Sequence, residues 1–138
     1  REEFSAQFDI DVDYYIPDSY IPDSGAKIRI YRKLLLATEK EDIEEVRAEM
    51  LDRFGALPRP VENFLSISDL RLKARGKAIK SLRRKGQELE IVFAQDLPAD
   101  INQRLQGCRI KSLHKRSLML NLQGSASLEV LGQIMEMI

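Results

Sequence analysis

The sequence predicts an α+β fold, in which an N-terminal strand and a helical hairpin pack with two β-β-α units that form a mostly antiparallel sheet. Apolar side chains recur at helical spacing over residues 23–76, whereas they alternate in two similar stretches over residues 78–138. The corner from Gly55 to Pro60 also supports this fold, because a glycine suits the end of one helix and prolines suit the start of the next. We expect a single domain of 138 residues, with a linker or edge strand over residues 1–12, helices over 23–76 and a sheet with two helices over 78–138.

The N-terminal segment is predicted to form a strand and then an extended stretch. Phe8, Ile10 and Val12 alternate with polar residues, which is typical of a half-buried strand, and the acids between them suit a sheet edge. The doubled motif that follows, Tyr15–Asp18 and Tyr20–Asp23, is expected to be extended because each proline constrains the isoleucine before it. We interpret its tyrosines and isoleucines as anchors to the core. A peptide-like recognition element is the alternative.

Three helices are predicted next. The first runs from about Ser24 to Ala37, the second starts at a capping box over Thr38–Glu41 and ends at Gly55, and the third covers about 60–75. The residues of the first helix that helical spacing places inward are Ile28, Tyr31, Leu34 and Leu35.

The sheet half contains two hairpins whose first strands are similar. Ile79-Lys80-Ser81-Leu82 is echoed by Ile110-Lys111-Ser112-Leu113, and a more apolar strand follows each. A short helix is expected over 98–105 and a closing helix over about 126–137. We interpret this as a repeated β-β-α unit. The alternative is two unrelated hairpins that share four residues.

The sequence argues against an enzyme. It has no glycine-rich loop followed by Lys-Ser/Thr, no Gly-x-Gly-x-x-Gly and no Gly-x-Ser-x-Gly. His114 and Cys108 are the only histidine and cysteine, too few for a zinc site, so we expect no metal and no cofactor. No apolar run of membrane-spanning length and no signal peptide is present, and we therefore expect a cytoplasmic protein without a membrane partner.

Charge is polarised along the chain. Residues 1–57 hold 8 Lys/Arg against 14 Asp/Glu, and residues 58–138 hold 14 against 8. If the two hairpins are neighbours, their basic residues would form one positive edge able to meet nucleic-acid phosphates. The edge lacks the interleaved aromatic residues that stack on bases, so direct DNA contact is kept only as the alternative function. Its candidate residues are Lys80, Arg83, Arg84, Lys85, Lys115 and Arg116.

Three segments together resemble the C-terminal domain of the bacterial transcription-repair coupling factors. They are the doubled motif over residues 15–23, the run Ile30–Leu34, and the run Glu49–Pro58 with its Asp-Arg-Phe-Gly-x-Leu-Pro corner. The resemblance implies a regulatory domain of a multidomain DNA translocase that removes stalled RNA polymerase and recruits excision-repair proteins. It further implies that the domain docks on the UvrB-like module of the same polypeptide and masks the surface that binds UvrA, which is autoinhibition.

Glu49, Asp52 and Arg53 are our preferred docking residues, with Glu45 one turn earlier. A spacing of three and four residues puts them on one side of the second helix, next to the rigid corner. The residues alone indicate a solvated face, which stays the alternative; the resemblance and their position beside the corner are what favour docking. A third possibility for the whole domain is a purely structural cap on the motor.

Overall fold

The computed structural model describes residues 6–124 and 127–138, and within them it confirms an α+β fold. The chain divides into two compact units, one made of residues 12–72 and the other of residues up to 11 together with 73–138. The expectation of a single domain stays a prediction. The helices are α1 (Ser24–Leu36), α2 (Lys40–Phe54), α3 (Arg59–Gly76), α4 (Ile101–Arg104) and α5 (Leu128–Met137); the strands are β1 (Gln7–Ile10), β2 (Ile79–Lys85), β3 (Glu88–Phe93), β4 (Arg109–Leu113) and β5 (Ser117–Asn121).

The core of the helical unit is built from α1, α2 and the start of α3. Its fully buried members include Ile30, Met50, Val61 and Leu65. The doubled motif contributes as expected, since its isoleucines, at positions 16 and 21, are 2% and 0% exposed. This confirms that the motif is anchored to the core, although one of its tyrosines, at position 15, is 50% exposed.

The predicted inward face of α1 is partly wrong. The buried residues of α1 are Ala26, Ile30 and Leu34, spaced four apart, whereas Ile28 is 57% and Leu35 is 73% exposed. The helix carries apolar residues on more than one face, so helical spacing alone did not fix which face turns to the core. With Leu36, which is 69% exposed, three apolar side chains of this helix are therefore available for contacts outside the core.

Each end of α2 lies where it was predicted but differs from the prediction in one detail. The capping carboxylate belongs to Asp42 rather than to Glu41, because the structure places the N-cap at Glu39. At the other end Gly55 has the predicted positive φ of 88°, but its ψ of −162° lies outside the left-handed helical region. That backbone conformation is essentially restricted to glycine.

The sheet has five strands in the order β1-β2-β3-β5-β4. Two β-β-α units are present, as predicted, and they pair through their second strands, β3 and β5, which run antiparallel. β1 lies parallel to β2 at one edge, which confirms the predicted edge strand. The interior of this unit contains alternate residues of the central strands, such as Leu89, Ile91, Leu118 and Leu120, and one face of α5.

The two helices of the sheet unit are shorter than expected. α4 forms only four residues of the segment predicted over 98–105. α5 begins after Ser127, whose hydroxyl accepts a hydrogen bond from the Val130 N–H at 3.3 Å. The predicted start of this helix at Ala126, and the first five residues of the expected N-terminal linker, lie outside the described residues.

Candidate docking surface

The helix that carries the four predicted docking residues, α2, is held at both ends by side-chain hydrogen bonds. At its start, the Asp42 carboxylate accepts hydrogen bonds from the backbone N–H groups of Thr38 at 2.9 Å and Glu39 at 3.1 Å. These hydrogen bonds, the one from Thr38 first, lower the pKa of Asp42 because they favour the charged carboxylate. The first turn of α2 is therefore fixed by its own sequence.

The C-terminal end of α2 is held by Tyr20 of the doubled motif. Its hydroxyl lies 2.8 Å from the Gly55 carbonyl oxygen and 3.2 Å from that of Met50, and donates to these helix-end acceptors. The ring packs against Phe54 with centroids 5.9 Å apart, and partial burial raises the pKa of the phenol. The carbonyl of the C-cap residue Gly55 has no N–H partner within the helix, so this tyrosine supplies what α2 cannot supply itself.

The predicted docking residues differ in what they contact. Glu45 and Asp52 are exposed, and among the described residues neither makes an ion pair or a side-chain hydrogen bond. Glu49 is only 22% exposed at its side chain and accepts hydrogen bonds from Lys33 at 2.7 Å and Arg53 at 3.1 Å. The Lys33 hydrogen bond is the main cause of its lowered pKa, which burial opposes.

Arg53 is likewise engaged within the chain. Besides its ion pair with Glu49, its guanidinium lies over the Phe54 ring, 4.9 Å from the centroid, in cation–π geometry. The side chain is nevertheless 41% exposed. Of the four predicted residues, two are thus free to meet a partner directly and two already form a cluster with Lys33 of α1.

A groove runs between α1 and α2 beside these residues. Its volume is about 490 Å³, and Leu36, at the end of α1, is 69% exposed. The groove is lined by Lys33, Leu36, Ala37, Asp42, Glu45, Val46 and Glu49. The sequence analysis did not include Lys33 or Leu36 in the docking surface, although three consecutive leucines at 34–36 cannot all face the core of one helix.

The basic residues of the alternative function lie on β2 and in the turn between β4 and β5, and a single positive edge stays a prediction. The hairpins are neighbours, and the turn that carries Lys115 and Arg116 lies beside β3, since the Phe93 N–H donates a hydrogen bond to the Arg116 carbonyl oxygen at 2.7 Å. Several of the charges are also engaged: Arg83 lies 3.5 Å from Asp9, and Arg116 lies 2.8 Å from Asp96. Lys115 approaches the same Asp96 at 3.9 Å.

The remaining three candidates, Lys80, Arg84 and Lys85, all lie on β2. The Arg84 guanidinium donates a hydrogen bond to the Asp11 carbonyl oxygen at 3.0 Å. Lys80 and Lys85 are exposed near opposite ends of β2. Nucleic-acid binding at these six residues stays an untested alternative.

Across residues 6–124 and 127–138, no three His, Cys, Asp or Glu side chains come together in a way that could hold a metal ion. Cys108 is half-buried, and burial raises the pKa of its thiol. In that part of the chain no helix is long and apolar enough to cross a membrane.

This fold is that of a C-terminal domain of a transcription-repair coupling factor. A solved C-terminal domain of transcription-repair coupling factor superposes with a TM-score of 0.84 and covers 99% of this chain and 91% of that chain. At 24% identity this likeness shows the fold alone.

The sequence comparisons define the family. The family model described as the TRCF domain matches residues 10–104, so the chain belongs to the TRCF-domain family. It is similar to the transcription-repair-coupling factors of Bacillus subtilis (28% identical over 101 residues, 73% of this chain) and Staphylococcus epidermidis (31% over 96 residues, 70%). The factor of Escherichia coli is 34% identical over 80 residues, 58% of this chain. The chain spans only 9%, 8% and 7% of the length of these three relatives.

Proposed function

We propose that this chain is the regulatory domain of a transcription-repair coupling DNA translocase and has no catalytic activity of its own. It docks on the UvrB-like module of the same polypeptide and masks the surface that binds UvrA. RNA polymerase and UvrA are then partners of the parent protein, in the bacterial cytoplasm, rather than of this chain directly. Family membership supports the setting, since the matched relatives bear the name transcription-repair-coupling factor.

The observation that carries the docking role is the exposed side of α2. Glu45 and Asp52 carry charges without a partner in the described part of the chain, on a helix whose two ends are fixed by Asp42 and Tyr20. A rigid element loses little conformational freedom on docking, so more of its interaction energy remains as binding energy. The acids would pair with basic residues of the UvrB-like module, and Arg53 with an acid there.

The strength required of such a clamp is modest. A docking free energy of about 2.8 kcal/mol keeps the masked state populated about 99% of the time. Two or three close charge pairs are enough, because the coupling energy measured for such pairs across an interface is about 1.5 kcal/mol or more. A weak clamp also remains able to open when UvrA must bind.

The test is UvrA binding to the parent protein with and without residues 1–138. Removal of the chain should raise UvrA affinity, and so should Asp52→Ala combined with Glu45→Ala in the full-length parent. Lys40→Ala, an exposed charge at the other end of α2, is the control and should leave the affinity at the wild-type level. If deletion leaves UvrA binding unchanged, the chain is a structural cap on the motor and the masking role is wrong.

A further inference from the structure

We propose that the α1–α2 groove is the socket of the docking surface, and that it receives an apolar side chain flanked by an arginine or lysine of the UvrB-like module. This inference rests on the docking role proposed above. It adds residues of α1 to a docking surface that so far consisted of α2 residues only. It also assigns Glu49 a supporting role instead of a direct contact.

The apolar part of the socket comes from the end of α1 and the facing side of α2. Leu36 is 69% exposed on the lip, and the fully or nearly buried Ala37 and Val46 form the lining below it. A leucine that stays exposed beside a concave surface gains most when a second apolar side chain covers it, since the area removed from water sets the gain. Isolated exposed leucines are common, so the concavity and the charges beside it are what distinguish Leu36.

The charges around the groove select the occupant. Asp42, Glu45 and Glu49 lie along the α2 side, and Lys33 is the only cation among the lining residues. Asp42 is occupied by the helix-capping hydrogen bonds, and Glu49 holds Lys33 at 2.7 Å. Glu45 is thus the lining acid left without a partner among the described residues, and the complementary group is a cation next to the apolar side chain.

The Lys33–Glu49 pair has a separate effect on the groove. It joins the last turn of α1 to α2, with the Arg53 guanidinium on the second carboxylate oxygen of Glu49. Breaking this pair would free the end of α1 to move relative to α2. Glu49 therefore shapes the socket, and the direct contacts fall to Leu36 and Glu45.

Cysteine footprinting of the full-length parent tests the socket directly. Leu36→Cys and Leu35→Cys are matched variants, because the native leucines are 69% and 73% exposed in succession and only Leu36 lines the groove. Both variants also carry Cys108→Ser. Maleimide labelling of the peptide that contains positions 35 and 36 is followed by mass spectrometry, in the parent and in the 138-residue chain alone. We expect labelling of Leu36→Cys to be at least tenfold slower in the parent, and labelling of Leu35→Cys to be similar in both.

A second pair of variants tests the cation. Glu45→Gln, added to Leu36→Cys, should restore a large part of the labelling rate in the parent. Glu41→Gln, on the same helix but outside the groove, should not. If Glu45→Gln leaves the protection intact, the occupant is apolar only and the flanking cation is wrong.

The outcomes separate this proposal from the masking role. Equal labelling of Leu36→Cys in the parent and in the isolated chain overturns the socket, whatever UvrA binding does. Equal protection of both cysteines also overturns it, because the contact would then not be specific to the groove. Protection of Leu36→Cys alone, with UvrA affinity unchanged on deletion of the chain, supports the socket and refutes masking.

Discussion

Replacement of Gly55 should lower the free energy of unfolding through backbone strain alone, and the local geometry sets the size of this loss. Gly55 has φ 88° and ψ −162°, and a Cβ added there meets no heavy atom within 4 Å. No clash therefore contributes, and the cost is that of holding an L-residue in a conformation reserved for glycine. Such strain costs on the order of 1–3 kcal/mol.

Gly55→Ala and Gly55→Val should both lower the free energy of unfolding by about this amount, with valine slightly worse because its side chain is branched at Cβ. Urea denaturation measures the change as a lower midpoint at an unchanged m-value. The melting temperature should fall by roughly 3–5 °C per kcal/mol for a chain of this size.

Gly76→Ala is the matched control. This glycine is the last residue of α3, its φ is not positive, and a Cβ there also meets nothing within 4 Å. Alanine is favoured over glycine in a helix by up to about 1 kcal/mol, so the control should be neutral or stabilising. Equal effects at the two glycines, or an unchanged midpoint for Gly55→Ala, would show that the corner is not strained for other residues.

Three further variants test contacts described above. Tyr20→Phe removes the hydroxyl that donates to the α2 carbonyls and should lower the free energy of unfolding by about 0.5–1.5 kcal/mol, whereas Tyr15→Phe, at an exposed tyrosine, should not. Ala78→Gly should stabilise by up to about 1 kcal/mol in the same assay, because Ala78 has φ 57°; a lower midpoint would contradict this. Glu49→Gln should destabilise at neutral pH by roughly 0.5–1 kcal/mol through loss of the Lys33 pair. Since the pKa of Glu49 is lowered in the folded chain, the wild type should keep this advantage above the ordinary pKa of a glutamate and lose it as the pH falls below that value, through the lower pKa of the folded chain; a difference that did not shrink as the pH was lowered would refute the electrostatic cause.

The features that the sequence predicted well are those fixed locally. The repeated Ile-Lys-Ser-Leu strands formed two hairpins, and Gly86 in the first turn has the positive φ of 61° that a tight turn requires. The corner after α2 and the proline-constrained doubled motif also depend on neighbours in the chain. Short-range chemistry was sufficient for each of them.

The order of the strands could not be fixed in this way, because it depends on contacts between distant segments. The sequence still held a relevant signal. The second strands contain Leu89, Ile91 and Leu120 and carry fewer basic residues than the first strands. Strands covered by neighbours on both sides favour such apolar content, and this would have placed β3 and β5 in the centre and the basic strands apart.

The docking surface was predicted only in part, for a similar reason. Helical spacing located Glu45, Glu49, Asp52 and Arg53 on one side of α2, but it contains no information about α1. The Lys33–Glu49 pair joins residues 16 positions apart, and the groove exists only because the two helices pack together.

Substitutions at Asp52 and Glu49 should differ in their effects on docking and on folding stability. Asp52→Ala should leave the stability of the chain nearly unchanged, because no intramolecular partner is lost in the described structure, and any gain in UvrA affinity of the parent then reports docking. Glu49→Ala should lower stability by roughly 0.5–1 kcal/mol, and it should also alter docking, since it releases both Lys33 and Arg53. The two variants together should therefore lower the melting temperature, because the loss at Glu49 remains in the double variant. Thermal unfolding of the chain and UvrA titration of the parent measure the two effects independently. If Glu49→Ala changes neither quantity, the cluster with Lys33 and Arg53 does not shape the surface, and docking must depend on Glu45 and Asp52 alone.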